Sequence, residues 1–290
     1  MGVYPILSHT GGKEKQVRTL MPFVPVELKL HRITYHEPFC GMAAMFRYID
    51  PDRAVLIDRN KELIVFLHQI QKDVEAVITE VERLPVGEEY FNYLVAQDPA
   101  DLSLLQRAVR FYYIHCVSYL RNYTYSEHKS PAPTRDKTGL RRFAYQLQKA
   151  LVIEGDFSLV LDYASAGDFV YLDPPYYKTN SGHEYLQCTW EDHLRIAEVF
   201  RELDRRGCLL LQTNSYHPDI CNLYSEYNLV PFKTLRHIII NPARKPIQDL
   251  IITNYSIPAV QRELWDDEGG NDEGANIRHH SQSPTAATAR

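Results

Sequence analysis

The sequence predicts an α/β fold built on a parallel sheet and interrupted by a mostly helical insertion. Three observations carry this. Short apolar strands alternate with amphipathic helices at both ends of the chain. The first unit (33–37, 41–48, 53–57) has a β-α-β rhythm, which implies parallel pairing. From about residue 75 to 149, strand signals give way to helical periodicity and interleaved basic residues. The expected division is a core of residues 1–74 and 150–258, an insertion of 75–149 and an acidic tail of 263–290.

The elements follow in order. Residues 33–37 and 53–57 read as strands flanking a helix at 41–48. Leu63, Ile64, Phe66, Leu67, Ile70, Val74, Val77, Ile78 and Val81 have helical spacing up to about Leu84. Asp98-Pro99 and Asp101 open a second helix over 99–122, and 138–152 is a third. Strand character returns at 158–161 and 168–172. An amphipathic helix spans 189–206, a buried strand 208–212 and a helix 218–227. Residues 233–240 and 250–255 read as a closing pair of strands.

Composition limits the function classes. The chain has 290 residues, a net charge of −5 and 44% hydrophobic residues, which fits a globular protein of one large or two small domains. No run of 18 apolar residues exists, so no membrane-spanning helix is expected. Met1–Lys15 lacks the apolar stretch of a secretory signal. Five scattered cysteines without a C-x-x-C pair suggest neither a zinc site nor a disulfide framework, and point to a reducing, cytoplasmic location. The 12 histidines form no H-x-x-x-H pair with a third ligand nearby, so no metal is predicted. Residues 263–290 carry six acids against two arginines, so residues 1–262 are close to neutral and local basic stretches dominate their field. The tail, with its glycines and closing Ser/Thr/Ala run, is expected to be disordered.

Three motifs carry chemistry. Asp173-Pro174-Pro175-Tyr176 directly follows the strand Phe169–Leu172, where α/β sheets place ligands. The prolines restrict the backbone and remove two N–H donors. Asp173 can then accept one proton of a planar amine, a proline carbonyl the other, and Tyr176 can stack on the base. Glu37-Pro38-Phe39-Cys40-Gly41 follows the first strand and opens a helix, and Gly41 permits close backbone approach. Asp58 ends the next strand, placed either to accept ribose hydroxyls or to cap the helix starting near Asn60. Gly11-Gly12-Lys13 is not a phosphate loop, because the remaining P-loop residues are missing.

Together, Thr10-Gly11-Gly12-Lys13, Glu37-Pro38-Phe39-Cys40-Gly41, Asp58-Arg59-Asn60, Asp173-Pro174-Pro175-Tyr176, Asn214-Ser215 and Asp249–Tyr255 stand in the order and approximate spacing of one family. The chain resembles the Dam-type (D12 class) adenine-N6 DNA methyltransferases over roughly residues 4–257. The resemblance implies an S-adenosylmethionine-dependent, Rossmann-like sheet with an inserted target-recognition subdomain. It also implies that Asp173 holds the target amine beside the sulfonium. Gly12 and Lys13, with His9 nearby, would meet the cofactor at its N-terminal entrance. Glu37, Phe39 and Gly41 would line its methionine side, and Asp58 its ribose. In Gly155-Asp156-Phe157, Asp156 would accept the cofactor's adenine amine and Phe157 would stack on its ring; Asp156 as a simple turn cap is the alternative.

Some positions depart from the family pattern. His9 stands where some members carry Trp. Ala43 replaces the second glycine of P-F-x-G-x-G, a change expected to be tolerated at negative φ. The middle region lacks the family's Asn-Gly segment, so no target sequence follows. It is nonetheless basic and aromatic: Arg121, Asn122, Tyr123, Lys129, Arg135 and Lys137 suit phosphate and base contacts, and Arg244 and Lys245 form a second candidate. The expected partner is double-stranded DNA, with a cognate restriction endonuclease left open. An RNA adenine-N6 or cytosine-N4 methyltransferase, or a non-catalytic binding relative, are the alternatives.

Overall fold

The computed structural model describes residues 16–29, 32–118, 125, 137–178, 188–233 and 248–256. Among these residues seven strands form one sheet: β1 (Tyr35–Glu37), β2 (Ala54–Asp58), β3 (Ala150–Glu154), β4 (Phe169–Leu172), β5 (Leu209–Ser215), β6 (Asn228–Lys233) and β7 (Gln248–Thr253). Their order is β3-β2-β1-β4-β5-β7-β6. The first five in this order are parallel; β7 runs antiparallel to β5, and β6 antiparallel to β7. The chain moves outward from β1 through β2 to β3, then returns to place β4 on the other side of β1. The β1/β4 boundary is therefore the topological switch point, where such sheets bind ligands beyond their carboxyl ends.

Strand alternation sorts the core into two layers. Tyr35, Leu56, Phe169, Tyr171, Leu211 and Ile251 face one side, packed with helices α3 (Ala44–Ile49), α4 (Lys61–Glu82), α6 (Leu104–Val117) and α7 (Lys137–Leu147). Val55, Ile57, Val170, Leu172, Leu210 and Ile252 face the other, packed with α9 (Trp190–Arg205) and α10 (Pro218–Leu223). Ser103 with Gln106, and Thr189 with Asp192, form capping boxes that start α6 and α9. Asn254 locks the far end of β5: its Oδ1 accepts the Leu210 N–H, and its amide donates to Asp204 and the Cys208 carbonyl. Among the described residues, no helix is long and apolar enough to cross a membrane.

α4 is kinked at Asp73, whose φ of −158° leaves the helical region and whose side chain caps the Ala76 N–H. The kink falls at the boundary expected near residue 74. Beyond it, Val77, Ile78 and Val81 of α4, Phe111 and Tyr112 of α6, and Phe143 of α7 still pack in the same cluster as the sheet. A smaller cluster of Phe91, Leu94, Tyr113, Ile114 and Val117 is built by α5 (Glu88–Ala96) and the end of α6.

Several expectations need correction. The helix expected over 138–152 stops at Leu147, and residues 150–154 are edge strand β3, paired with β2. The strand expected at 158–161 is a 3-10 turn, Phe157–Leu159, running into the short helix α8 (Val160–Tyr163). Its four residues are too few for periodicity to separate strand from helix, and the Asp156 cap decides the matter. The helix expected over 99–122 begins at Leu104, after a 3-10 turn, and that expected over 218–227 ends at Leu223. The last hairpin starts at Asn228 rather than Lys233; residues 234–240 and the tail at 263–290 lie outside the described residues.

Candidate active site

The Glu37–Gly41 segment and Asp58 meet at the ends of β1 and β2. The turn after β1 is tight: Gly41 takes φ +48° and Ala43 φ +49°, and the Cys40 N–H donates to the Ile57 carbonyl at 3.0 Å. The Gly41 N–H donates to Asp58 Oδ2 at 2.9 Å, and the Asn60 N–H to Asp58 Oδ1 at 2.9 Å. Asn60 caps α4, accepting the N–H groups of Glu62 and Leu63. The capping alternative for Asp58 therefore falls to Asn60. Burial pushes the half-buried Asp58 carboxyl above its ordinary value, and the Asn60 and Gly41 N–H groups limit the rise. Ala43 corrects the expectation of a negative φ: this residue sits in the left-handed region that favours glycine.

The third loop follows β3. The Gly155 N–H donates to the Asp58 carbonyl, extending the strand pairing to the loop. Phe157 stacks on Phe39 with ring centroids 5.1 Å apart and planes at 22°, and the Arg195 guanidinium lies 4.9 Å from the Phe157 centroid. Asp156 accepts the Ser158 N–H and pairs with Arg195 at 2.9 Å. The turn-capping role of Asp156 is thus realised. Phe39 and Phe157, more than a hundred positions apart, form one aromatic contact between the loops after β1 and β3.

The fourth loop follows β4. Asp173 is half-buried, and its Oδ1 accepts the Thr213 hydroxyl at 2.6 Å. Asn214 Oδ1 accepts the Tyr177 N–H at 3.1 Å, and the Ser215 hydroxyl donates to the Tyr177 carbonyl at 2.8 Å. The Tyr177 ring lies among Trp190, His193 and His217, with centroids 5.1–5.4 Å away, and its hydroxyl donates to Asp219. Asp-Pro-Pro-Tyr is therefore held from behind by three consecutive residues of β5 and by a cluster of rings. His193 is fully buried there, and burial pushes its imidazole down to about 4, so it stays neutral.

Glu37 joins the β1 and β4 loops. It is buried, its Oε2 accepts the Tyr35 hydroxyl at 2.8 Å, and burial raises its carboxyl well above the ordinary range, with Asp173 nearby adding to the rise. The site thus places two carboxyl groups, Glu37 and Asp173, on adjacent strands at the switch point.

Of the other predicted residues, His9, Gly12, Lys13, Arg121, Asn122, Tyr123, Lys129, Arg135, Arg244 and Lys245 lie outside the described residues. Lys137 is described, and its ammonium is ion-paired with Glu82 of α4. Sequence reasoning missed Thr213 and Tyr177. One signal was available for Thr213: Gln212, Thr213, Asn214 and Ser215 extend an apolar strand as four polar residues, and all four are buried. Buried polar runs at the carboxyl end of a strand need partners; here Gln212 pairs with the Tyr224 hydroxyl, and Thr213, Asn214 and Ser215 with the loop after β4.

The donor set suits S-adenosylmethionine. A carboxylate already oriented by two backbone N–H groups can accept hydroxyls of a ribose, and the Phe39–Phe157 pair offers apolar surface to a ring.

The type II methyltransferase M.MjaIII of Methanocaldococcus jannaschii is 29% identical over 290 residues, spanning 88% of this chain and 100% of that protein. The type II methyltransferase M1.LlaDCHI of Lactococcus lactis is 28% identical over 276 residues, spanning 87% and 95%. A DNA N-6-adenine-methyltransferase of Escherichia phage P1 is 27% identical over 244 residues, spanning 76% of this chain and 31% of the phage protein. The family defined as D12 class N6 adenine-specific DNA methyltransferases matches residues 9–238, which include all four loops just described, and the chain belongs to that family.

Proposed function

We propose that the four loops at the β1/β4 switch point form the methyl-transfer site of an adenine-specific DNA methyltransferase. The protein transfers a methyl group from S-adenosylmethionine to the N6 amine of adenine in DNA. The observation that carries the assignment of the site is the convergence of Asp58 and Asp173 from β2 and β4, flanking Glu37 of β1, at the carboxyl ends of three adjacent interior strands. When bound, S-adenosylmethionine supplies a methyl group on a positively charged sulfur.

The chain's own residues do the rest. Asp58 accepts ribose hydroxyls, while the Gly41 turn leaves room for the methionine part. Asp173 accepts a hydrogen bond from the target amine, which raises electron density on N6 and aligns it for in-line attack; the N6–methyl bond would form as the methyl–sulfur bond breaks, leaving S-adenosylhomocysteine, and the surplus N6 proton would pass to solvent. Pro174 and Pro175 add carbonyl acceptors without donors, and the Tyr176 ring stacks on the base. The amine is out of reach inside a duplex, so the adenine is extruded. Phe157 stacks on the cofactor's adenine, and Asp156, besides capping the Ser158 N–H, accepts the adenine amine. No enzyme-bound covalent species is required.

The insertion after the α4 kink is the target-recognition part in this reading, with Lys137 at its described margin. The type II names of two relatives support a restriction–modification setting with a cognate endonuclease. Transfer of labelled methyl to duplex DNA, single-stranded DNA and RNA, followed by analysis of the modified base, tests the assignment. Label at adenine N6 of duplex DNA, lost in Asp173→Ala, is expected. Activity retained in Asp173→Ala removes Asp173 from the reaction.

A further inference from the structure

The hydroxyl of Thr213 has one proton and two neighbours. It donates that proton to Asp173 Oδ1 at 2.6 Å, and the Tyr171 hydroxyl lies 3.3 Å from the same oxygen. Because the single proton is committed to Asp173, Tyr171 must be the donor in the second contact. The result is a directed chain, Tyr171 to Thr213 to Asp173, between adjacent strands β4 and β5. Tyr171 and Thr213 are fully buried, and Asp173 is half-buried at the edge of the cleft.

We infer that Thr213 is a positioning residue for methyl transfer, fixing the rotation of the Asp173 carboxylate, with Tyr171 orienting the Thr213 hydroxyl. The inference rests on the reading of Asp173 as the acceptor for the target amine. A carboxylate on a short side chain turns about its Cβ–Cγ bond, and each rotation points its lone pairs differently. A donor at 2.6 Å on Oδ1 selects one rotation before substrate arrives, and a buried donor does so without competition from water. Thr213 lies on the same sheet face as Leu211, whose burial fixes the register of β5. The hydroxyl is thereby held by the core rather than by a loop. No proton moves along the chain during the reaction; its effect is on direction and on the electron density of the carboxylate.

The test is methyl transfer to duplex DNA by Thr213→Val, Thr213→Ala, Thr213→Ser and Tyr171→Phe, beside Asp173→Ala. S-adenosylhomocysteine affinity and melting temperature are measured for each. Thr213→Val and Thr213→Ala are expected to lower kcat about 10- to 100-fold, the loss of a hydrogen bond to a charged group, with KM for DNA and cofactor affinity within about twofold. Thr213→Ser is expected to restore most of the rate, and Tyr171→Phe to cause a smaller loss, again in kcat. Wild-type kcat in either hydroxyl-free variant overturns the inference. So does a loss carried by KM, or one that Ser does not repair. Activity in Asp173→Ala overturns the underlying reading instead, so the two failures are distinct.

Discussion

The Asp58 carboxylate accepts the backbone N–H of Gly41 at 2.9 Å, so the end of β2 and the turn after β1 are one structure rather than two motifs. A group that shapes the turn and, in the proposed site, also meets the cofactor is costly to remove. Asp58→Ala is expected to weaken S-adenosylhomocysteine binding by about 1.5–3 kcal/mol, or about 10- to 100-fold, by calorimetric titration. The same affinity has a pH dependence of definite sign. Burial raises this carboxyl, so on acidification it takes up its proton at a higher pH than an ordinary aspartate. Cofactor affinity should therefore fall on acidification, beginning at a higher pH than an ordinary aspartate would set, and Asp58→Ala should lose this dependence. A flat profile in the wild-type protein removes Asp58 from the cofactor contact.

Ala43 poses a question of opposing magnitudes. A left-handed φ costs a residue with a Cβ about 1–2 kcal/mol. Glycine would relieve that, yet it costs about 0.5–1 kcal/mol in chain entropy and gives up about 0.8 kcal/mol from one buried methyl. The effects nearly cancel, which explains how alanine occupies a glycine position at φ +49° in a fully buried turn. Ala43→Gly should leave the denaturation midpoint almost unchanged. Ala43→Val, β-branched and larger in the same conformation, should destabilise by more than about 2 kcal/mol.

Strands with apolar runs between loop signals, such as β1, β2, β4 and β5, were legible in the sequence, as were α4, α6 and α9 by their periodicity. The failures share a physical cause. β3 directly follows α7, and Leu147, Leu151 and Val152 continue that helix's spacing; pairing with β2 overrides the local signal. β6 contains Pro231, which discourages a strand reading, but β6 is an edge strand and tolerates it. α5 is short, with only Phe91 and Leu94 buried, too few for a periodic signal. In the proposed site, Asp58, Phe39 and Asp173 stood out in the sequence because they lie at or just beyond the ends of parallel strands. Thr213 did not, because its role depends on β4 and β5 being neighbours, which periodicity does not reveal.

The Lys137–Glu82 ion pair makes a prediction about DNA binding. Both side chains are well exposed, so the pair adds little to stability, but it holds the ammonium against an acid rather than a phosphate. If this margin of the insertion meets DNA, Glu82→Gln should raise duplex affinity a few-fold. It should also steepen the fall of affinity with salt by up to about one unit of slope. Lys137→Ala should abolish the gain in the double variant. Filter binding across a salt series reads both effects, and an unchanged slope in Glu82→Gln places this margin outside the DNA interface.

Tyr176 separates the contribution of a ring from that of its hydroxyl. It follows Pro175 and precedes Tyr177, whose backbone is clamped by Asn214 and Ser215, so the Tyr176 ring stands on a fixed base. Stacking on an aromatic is worth about 1–3 kcal/mol per nucleobase, and the ring also keeps water from Asp173. Neither effect needs the phenol proton. Tyr176→Phe should therefore keep its single-turnover rate of methyl transfer within about threefold of wild type. Tyr176→Ala should lose about 10- to 100-fold with S-adenosylhomocysteine affinity intact, because Asp58 and the Gly41 turn are untouched. Asp173→Ala should be more severe than either, since it removes the group that aligns N6. If Phe is as slow as Ala, the hydroxyl itself takes part, and stacking is not the reason for tyrosine at this position. If Ala matches wild type, the base does not rest on this ring, and the fourth residue of Asp-Pro-Pro-Tyr serves only to shape the loop.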